Sequence, residues 1–405
     1  MSRRPPGWLS LLALLLVATN LRPAIASISP VALDIRSDLG WSEVRVGMLT
    51  TLPVLCMGLA APLVPRVARR LGLPVTMLGS LVLIGVALGL RLAGSVPGVL
   101  VVTALVAGIG IAGASGLLPW LVRDRFPGRI GAVGGAWTAT MMGGAAVSGA
   151  LTVPLAGVTG SWQAALASWG LLAVAAGIVW VPAGLRAESL AAPDAAPHAA
   201  RPAPASASAP DDTDHRLPWR NPSAWALTGL LALNAFAFYG LLAWLAPSFG
   251  DRGWSATESG LLLGAFTIVQ VGAALVLPAL GQRLPERRWL LAALVTASVT
   301  TLVWIGLAPA AGTVVALLLL GLGLGGTFAI GLSLLSEYAV SGGASGRLTA
   351  MAFLVTYVVG ALGPLTLGAL LQSTGSWTAV YAAVAVACAG QLLCVPFLRR
   401  GIRIS

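Results

Sequence analysis

The chain has 405 residues, of which 57% are hydrophobic and 9% are charged, and its mean hydropathy is +0.90. About a quarter of the residues of a soluble domain are charged, so this composition excludes a soluble globular protein and indicates a multi-span membrane protein. In a soluble protein, a net charge of +11 would indicate that the protein binds nucleic acid. Here the arginines lie in short connections between apolar segments and report membrane topology, so we expect a lipid bilayer and no nucleic acid as partner.

The first apolar segment, residues 8–31, contains the most informative residue of the chain, Arg22. About fourteen helical residues precede it, roughly 20 Å of helix, so its guanidinium cannot easily reach the cytoplasmic interface. A charge at this depth costs at least ~2.5–3.5 kcal/mol, and such residues usually face a cavity on a substrate pathway. The alternative is an arginine that is satisfied by helix carbonyls between packed helices. Pro23 lacks an N–H group, which predicts a kink or an unwound turn here.

Apolar windows of about 20 residues predict twelve transmembrane helices. Six are expected near residues 8–31, 43–64, 74–94, 97–122, 131–157 and 162–182. Six more are expected near residues 223–247, 256–280, 288–307, 311–335, 346–372 and 376–398. The N-terminus imitates a cleavable signal peptide, but the continuing apolar sequence and the many later spans favour an uncleaved first helix.

A polar segment, residues 183–222, divides the two sets of helices. It is rich in Ala, Pro, Asp and Ser and cannot bury a core, so we expect a disordered cytoplasmic tether. The predicted organisation is an N-terminal six-helix bundle over 1–182, the linker, and a C-terminal six-helix bundle over 223–405.

The distribution of arginine predicts the orientation in the membrane. The connections on the side of the linker carry most of the arginines, namely Arg66, Arg69, Arg70, Arg123, Arg125, Arg129, Arg283, Arg287, Arg288, Arg347, Arg399 and Arg400. The opposite side carries only four arginines, which are interspersed with acidic residues. These arginines are Arg36, Arg45, Arg91 and Arg252. The positive-inside rule then places both termini in the cytoplasm.

An internal repeat indicates two related halves. Gly40-Trp41-Ser42, followed by Gly47 and Gly58, recurs as Gly253-Trp254-Ser255, followed by Gly260 and Gly272, each time just outside the second helix of its half. Parallel repeats related by an axis along the membrane normal are typical of transporters, whose site lies near the midplane between the halves.

The stretch "APLVPRVARRLG", residues 61–72, resembles the loop between helices two and three of the major facilitator superfamily. Arg66, Arg69 and Arg70 match the motif, whereas Ala61 and Pro65 replace its usual Gly and Asp. The resemblance implies an all-α membrane protein with twelve helices in two pseudo-symmetric six-helix bundles. It also implies a gating role for this arginine cluster, together with Arg283 in the parallel stretch of the second half. The alternative is a plain topology signal.

Within that superfamily, the chain resembles the cyanate/2-nitroimidazole transporter family. The first-helix signature Asn-Leu-Arg-Pro of that family stands at residues 20–23, and "TGSW" at 374–377 precedes the last helix. The eleventh helix departs from the pattern, because Phe353 stands where a glutamine is common. A missing cavity amide would alter which solute is accepted, so the resemblance implies the class of solute and not its identity.

The candidate solute contacts are polar and aromatic side chains predicted near mid-span. Arg22 supplies positive potential at low dielectric, and no acidic residue lies at matching depth, which favours a small anion or a strongly dipolar solute. Each of the other candidates has core packing as its alternative role. They are Asn20, Trp137, Met141, Asn234, Tyr239, Gln270 and Tyr357.

We therefore expect a monomeric secondary transporter of the bacterial inner membrane, moving a small anionic or polar, cyanate-like solute by alternating access. Efflux of nitroimidazole-like or other drug-like compounds is the alternative. An enzyme is not expected, because no span adjoins the paired acids that a membrane transferase needs. The cysteines lack metal spacing, so we expect no metal or cofactor. Protons are a candidate partner only through carboxylates near helix ends: Asp34, Glu258 and Glu337.

Overall fold

The computed structural model describes residues 7–60, 63–185, 217–308, 312–340, 342–399 and 401–404. In these residues, twelve helical spans are long and apolar enough to cross a membrane, and we number them α1–α12 in chain order. Most of the tether predicted over 183–222 lies outside the described residues. The predicted all-α fold with twelve spans is confirmed.

The N-terminal half contains α1–α6. The first span, α1, is built of four pieces: helix Gly7–Thr19, helix Pro23–Ala26, the 3-10 turn Ser29–Val31 and helix Ala32–Leu39. The others are α2 (Glu43–Ala60), α3 (Leu73–Leu90), α4 (Pro97–Arg125), α5 (Ile130–Thr159) and α6 (Trp162–Ser168 and Gly170–Trp180). A short helix, Val64–Leu71, follows α2.

The C-terminal half contains α7–α12. They are α7 (Pro222–Gly250), α8 (Ala256–Arg283), α9 (Arg287–Leu307), α10 (Thr313–Glu337), α11 (Gly342–Thr374) and α12 (Trp377–Cys394). The largest departure from the predicted bounds is in the first span, which runs to Leu39 instead of residue 31.

The same side-chain contact recurs in both halves and relates them structurally. The indole of Trp162 donates to the Asp38 carboxylate at 2.7 Å, and the indole of Trp377 donates to Asp251 at 3.0 Å. Each aspartate stands two residues before a Gly-Trp-Ser sequence, and each tryptophan ends a Thr-Gly-Ser-Trp sequence. In each half, therefore, the end of the first span is tied to the start of the sixth span.

The two halves meet closely at the end of the molecule that carries the Gly-Trp-Ser sequences, which we call the Gly-Trp-Ser end. A Cβ atom added to Gly47 of α2 would lie 2.7 Å from the Pro364 carbonyl oxygen of α11. A Cβ added to Gly260 of α8 would lie equally close, at 2.7 Å, to the Gly149 carbonyl of α5. Only glycine permits this approach of two backbones, so the repeated glycine is a repeated contact between the halves.

Candidate solute site

The site is built around a break in α1. The helix stops at Thr19 and resumes at Pro23, which has no N–H group to continue the first segment. The Arg22 carbonyl accepts hydrogen bonds from the amides of Ile25 and Ala26, at 3.0 and 2.9 Å. The break expected at Pro23 is therefore present, and Arg22 is the residue from which the next turn starts.

The Arg22 guanidinium lies between the two halves of the protein. Its Nη1 donates to the Tyr239 hydroxyl of α7 at 2.9 Å, and its Cζ lies 5.7 Å from the centroid of the Phe238 ring. The side chain is buried, with 6% of the residue exposed, and its Nε has no hydrogen-bond partner. None of the ion pairs in the described part of the chain involves Arg22. The cation thus keeps donor capacity for an anionic or acceptor-rich ligand.

Tyr357 of α11 belongs to the same cluster. Its phenol lies close enough to Arg22 and Tyr239 for electrostatic interaction with both. Its Cβ would lie 3.0 Å from a Cβ added to Gly58 of α2, and its ring meets Phe353 edge-on at 5.9 Å between centroids. Three predicted residues from α1, α7 and α11 are therefore brought together, with aromatic rings beside them.

Asn20 points away from that cluster. Its side-chain nitrogen donates to the Leu16 carbonyl at 2.8 Å and to the Leu172 carbonyl of α6 at 3.2 Å. Its Oδ1 is buried without a partner. Asn20 therefore ties the end of the first helical segment to α6, inside the N-terminal half.

Asn234 and Gln270 both contact α10. The Asn234 amide donates to the Leu324 carbonyl at 3.1 Å. The Cα of Gln270 would lie 2.7 Å from a Cβ added to Gly325, and its Nε2 is buried without a partner. Asn234 and Gln270 thus contact neighbouring residues of one helix within the C-terminal half, and no hydrogen bond joins either of them to Arg22.

Trp137 and Met141 lie on one face of α5 together with Gly144, because these positions are four and three residues apart. Gly144 packs against the Thr19 carbonyl at the break in α1. The two half-buried side chains therefore continue the face that meets the break, toward the end opposite the Gly-Trp-Ser end.

The predicted gating arginines lie at that opposite end. Arg66, Arg69 and Arg70 are exposed on the short helix Val64–Leu71, and Arg283 is exposed at the end of α8. They stand apart from the Arg22 cluster, and their role in gating remains a prediction.

Two of the three carboxylates considered for proton coupling form contacts near helix ends. Glu337 pairs with Arg287 across the ends of α10 and α9, and Glu258 forms a capping box with Ser255 at the start of α8. Asp34 is exposed in the last segment of α1.

Two residues near the break were missed in the sequence. Phe238 adjoins Tyr239 and places its ring beside the guanidinium; only that adjacency could have indicated it. Arg91 at the end of α3 is almost completely buried, although a basic residue at a helix end reads as a topology signal.

Twelve membrane spans in two related halves are an architecture typical of membrane transporters. The family profile described as Major Facilitator Superfamily matches residues 9–364 and 245–402. The chain belongs to the major facilitator superfamily, and it is a multi-pass membrane transporter of small solutes, not an enzyme.

Three curated bacterial relatives match nearly the whole chain. The cyanate transport protein CynX of Escherichia coli K12 is 30% identical over 95% of this chain and 95% of that protein. The 2-nitroimidazole transporter of the same organism is 29% identical over 92% of this chain and 91% of that protein. An uncharacterized transporter of Bacillus subtilis 168, YycB, is 29% identical over 92% of this chain and 88% of that protein. The predicted resemblance to the cyanate/2-nitroimidazole transporters is confirmed.

Solved structures share the fold at low sequence identity. A D-xylose-proton symporter superposes with a TM-score of 0.73 at 14% identity, covering 98% of this chain and 97% of that one. An inward-facing, occupied bacterial homolog of the human lysosomal transporter Spinster gives a TM-score of 0.69 at 17% identity, covering 96% and 95%. These likenesses establish the architecture.

Proposed function

We propose that this protein transports a small anionic or strongly dipolar solute, of the cyanate or nitroimidazole kind, across the bacterial inner membrane, with Arg22 as the solute-facing cation. The observation that carries the proposal is a buried guanidinium between the halves that hydrogen-bonds a phenol and has an unpartnered Nε. A guanidinium at low dielectric attracts opposite charge far more strongly than it does in water. The names of two relatives supply the solute class.

The hydroxyl groups of Tyr239 and Tyr357 would supply the remaining polar contacts. A phenol both donates and accepts, so Tyr239 can turn its proton toward a solute while its oxygen still accepts from Arg22. Five further residues remain proposed solute contacts, although each of them contacts another helix in this conformation. They are Asn20, Asn234, Gln270, Trp137 and Met141.

Nitroimidazole-like efflux is the second candidate, and the aromatic rings beside the cation favour it. The rings of Phe238 and Tyr239 lie beside the Arg22 guanidinium, and the nearby Tyr357 is in contact with the ring of Phe353. A flat heteroaromatic solute packs against such rings. Nitro oxygens would accept from the guanidinium. The two candidates share one site and differ in solute size and direction.

For topology and coupling, we propose cytoplasmic termini, a monomeric unit and facilitated transport. The arginine bias supports the orientation, and the Arg22 cluster is formed within one chain. Intramembrane acids or histidines typically carry protons in coupled carriers. In the described residues, Glu337 and Glu258 are engaged by Arg287 and Ser255 instead.

The test is uptake into proteoliposomes of the purified protein. Radiolabelled cyanate and 2-nitroimidazole are each offered with and without an imposed pH gradient, against protein-free liposomes. We expect saturable equilibration of at least one solute, with no accumulation when the gradient is imposed. No saturable flux of either would contradict the solute class. Gradient-driven accumulation by the wild-type protein would contradict facilitated transport, and its survival after replacement of Asp34, Glu258 and Glu337 would also exclude coupling through these carboxylates.

A further inference from the structure

Arg91 is a second buried cation close to the break in α1. It starts the 3-10 turn Arg91–Ala93 at the end of α3, and 1% of the residue is exposed. Its Nη2 donates to the Ala24 carbonyl at 2.8 Å, while its Nε and Nη1 are buried without partners. Burying a cation with unmet donors is unfavourable, so packing alone would be served better by an apolar residue.

The carbonyl that Arg91 binds belongs to the turn that follows Arg22. In a continuous helix, the Ile28 amide would bond the Ala24 carbonyl, but here it bonds the Ile25 carbonyl at 3.4 Å. The helix Pro23–Ala26 has only four residues, and the last carbonyls of a helix lack partners within it. Arg91 supplies the missing donor from another helix.

The orientation of this turn determines where Arg22 points. The turn begins at Arg22, whose carbonyl holds the amides of Ile25 and Ala26. On the other side, the guanidinium of Arg22 reaches Tyr239 of the opposite half. We propose that Arg91 is a positioning residue for Arg22: by holding the Ala24 carbonyl, it keeps the guanidinium aimed at α7. The effect on transport rests on the proposed function of Arg22.

The C-terminal half provides a matched control. Arg252, at the end of α7, donates to the Ile305 carbonyl of α9 at 3.1 Å. Both arginines therefore tie the first and third spans of their half through a backbone carbonyl. Arg252, however, donates to α9, which is an uninterrupted helix and contains no residue equivalent to Arg22.

Two readouts test the proposal on the full-length protein: hydrogen exchange of the amides at residues 24–28, and the KM for radiolabelled cyanate. Arg91→Leu is expected to speed that exchange about tenfold and to raise KM about tenfold. Arg91→Lys, which retains a donor, is expected to keep exchange within about threefold of wild type and to restore most of the KM. In Arg252→Leu both quantities are expected to stay within about twofold.

A purely structural role would lower the melting temperature and Vmax of Arg91→Leu and leave KM unchanged. Wild-type exchange and KM in Arg91→Leu, or equal changes in Arg252→Leu, would overturn the proposal. If Arg91→Leu does not fold, Arg91→Gln, which is too short to reach the carbonyl, takes its place with the same expectations. The exchange result needs no solute, so it fails separately from the proposed function, which fails if Arg22→Ala transports normally.

Discussion

A buried guanidinium that has a phenol as its partner retains most of its hydrogen-bonding capacity. Arg22 presents five N–H donors, and one of them is used by Tyr239. The partner is a hydroxyl group, and none of the ion pairs in the described residues involves Arg22. A carboxylate in the same place would cancel the attraction for an anion. The choice of partner therefore preserves a site for negative charge.

Tyr239→Phe is expected to raise KM for the transported solute about tenfold. Hydrogen bonds to charged groups contribute about 1.5–3 kcal/mol, and losing this one lets the guanidinium leave its position. Tyr381→Phe is the control, because Tyr381 also bonds α7, through Ser248 at 2.6 Å, but lies outside the Arg22 cluster. Uptake kinetics in proteoliposomes measure both variants. An unchanged KM in Tyr239→Phe would show that the phenol does not orient the cation.

At the scale of elements, the sequence predicted which helices exist better than it predicted which side of each helix faces the protein interior. The break at Pro23 follows from a missing N–H, and the twelve spans follow from apolar length. The faces of Asn234 and Gln270 could not be predicted in the same way. Lipid tails and protein interiors are similarly apolar, so hydrophobicity does not tell which side of such a helix turns inward. The Asn234 amide donates to α10, and the backbone of Gln270 lies against α10 where Gly325 lets the two helices approach.

The contact of α2 with α11 gives a prediction at this scale. Gly47→Ala is expected to lower the uptake rate at least about tenfold, because its Cβ would meet the Pro364 carbonyl and force the halves apart at the Gly-Trp-Ser end. Overpacking of this kind costs about 1–3 kcal/mol. Gly79→Ala is the matched control, since a Cβ at Gly79 meets nothing within 4 Å. Equal uptake by the two variants, per amount of reconstituted protein, would refute this role of the close contact.

At the scale of the molecule, the repeated sequence elements make two kinds of contact, one within each half and one between the halves. The Asp38–Trp162 and Asp251–Trp377 contacts tie each half internally, and Gly47 and Gly260 join the halves to each other. The repeated Gly-Trp-Ser sequence predicted related halves, but the partners of its neighbouring aspartates are more than a hundred residues away. Such long-range pairs are not encoded in local spacing. The symmetry does not extend to the site: α1 is broken at Pro23 and carries Arg22, whereas its counterpart α7 is one continuous helix.

Uptake of radiolabelled cyanate by Arg22 variants in proteoliposomes tests the central claim most directly. Arg22→Ala is expected to transport no faster than protein-free liposomes, and Arg22→Lys is expected to retain part of the rate, because it keeps the charge but not the planar fork of donors. Arg252→Ala removes an arginine from the opposite half and is expected to transport within about twofold of wild type. Folded Arg22→Ala protein that transports cyanate at the wild-type rate would contradict the assignment of Arg22 as the solute-facing cation.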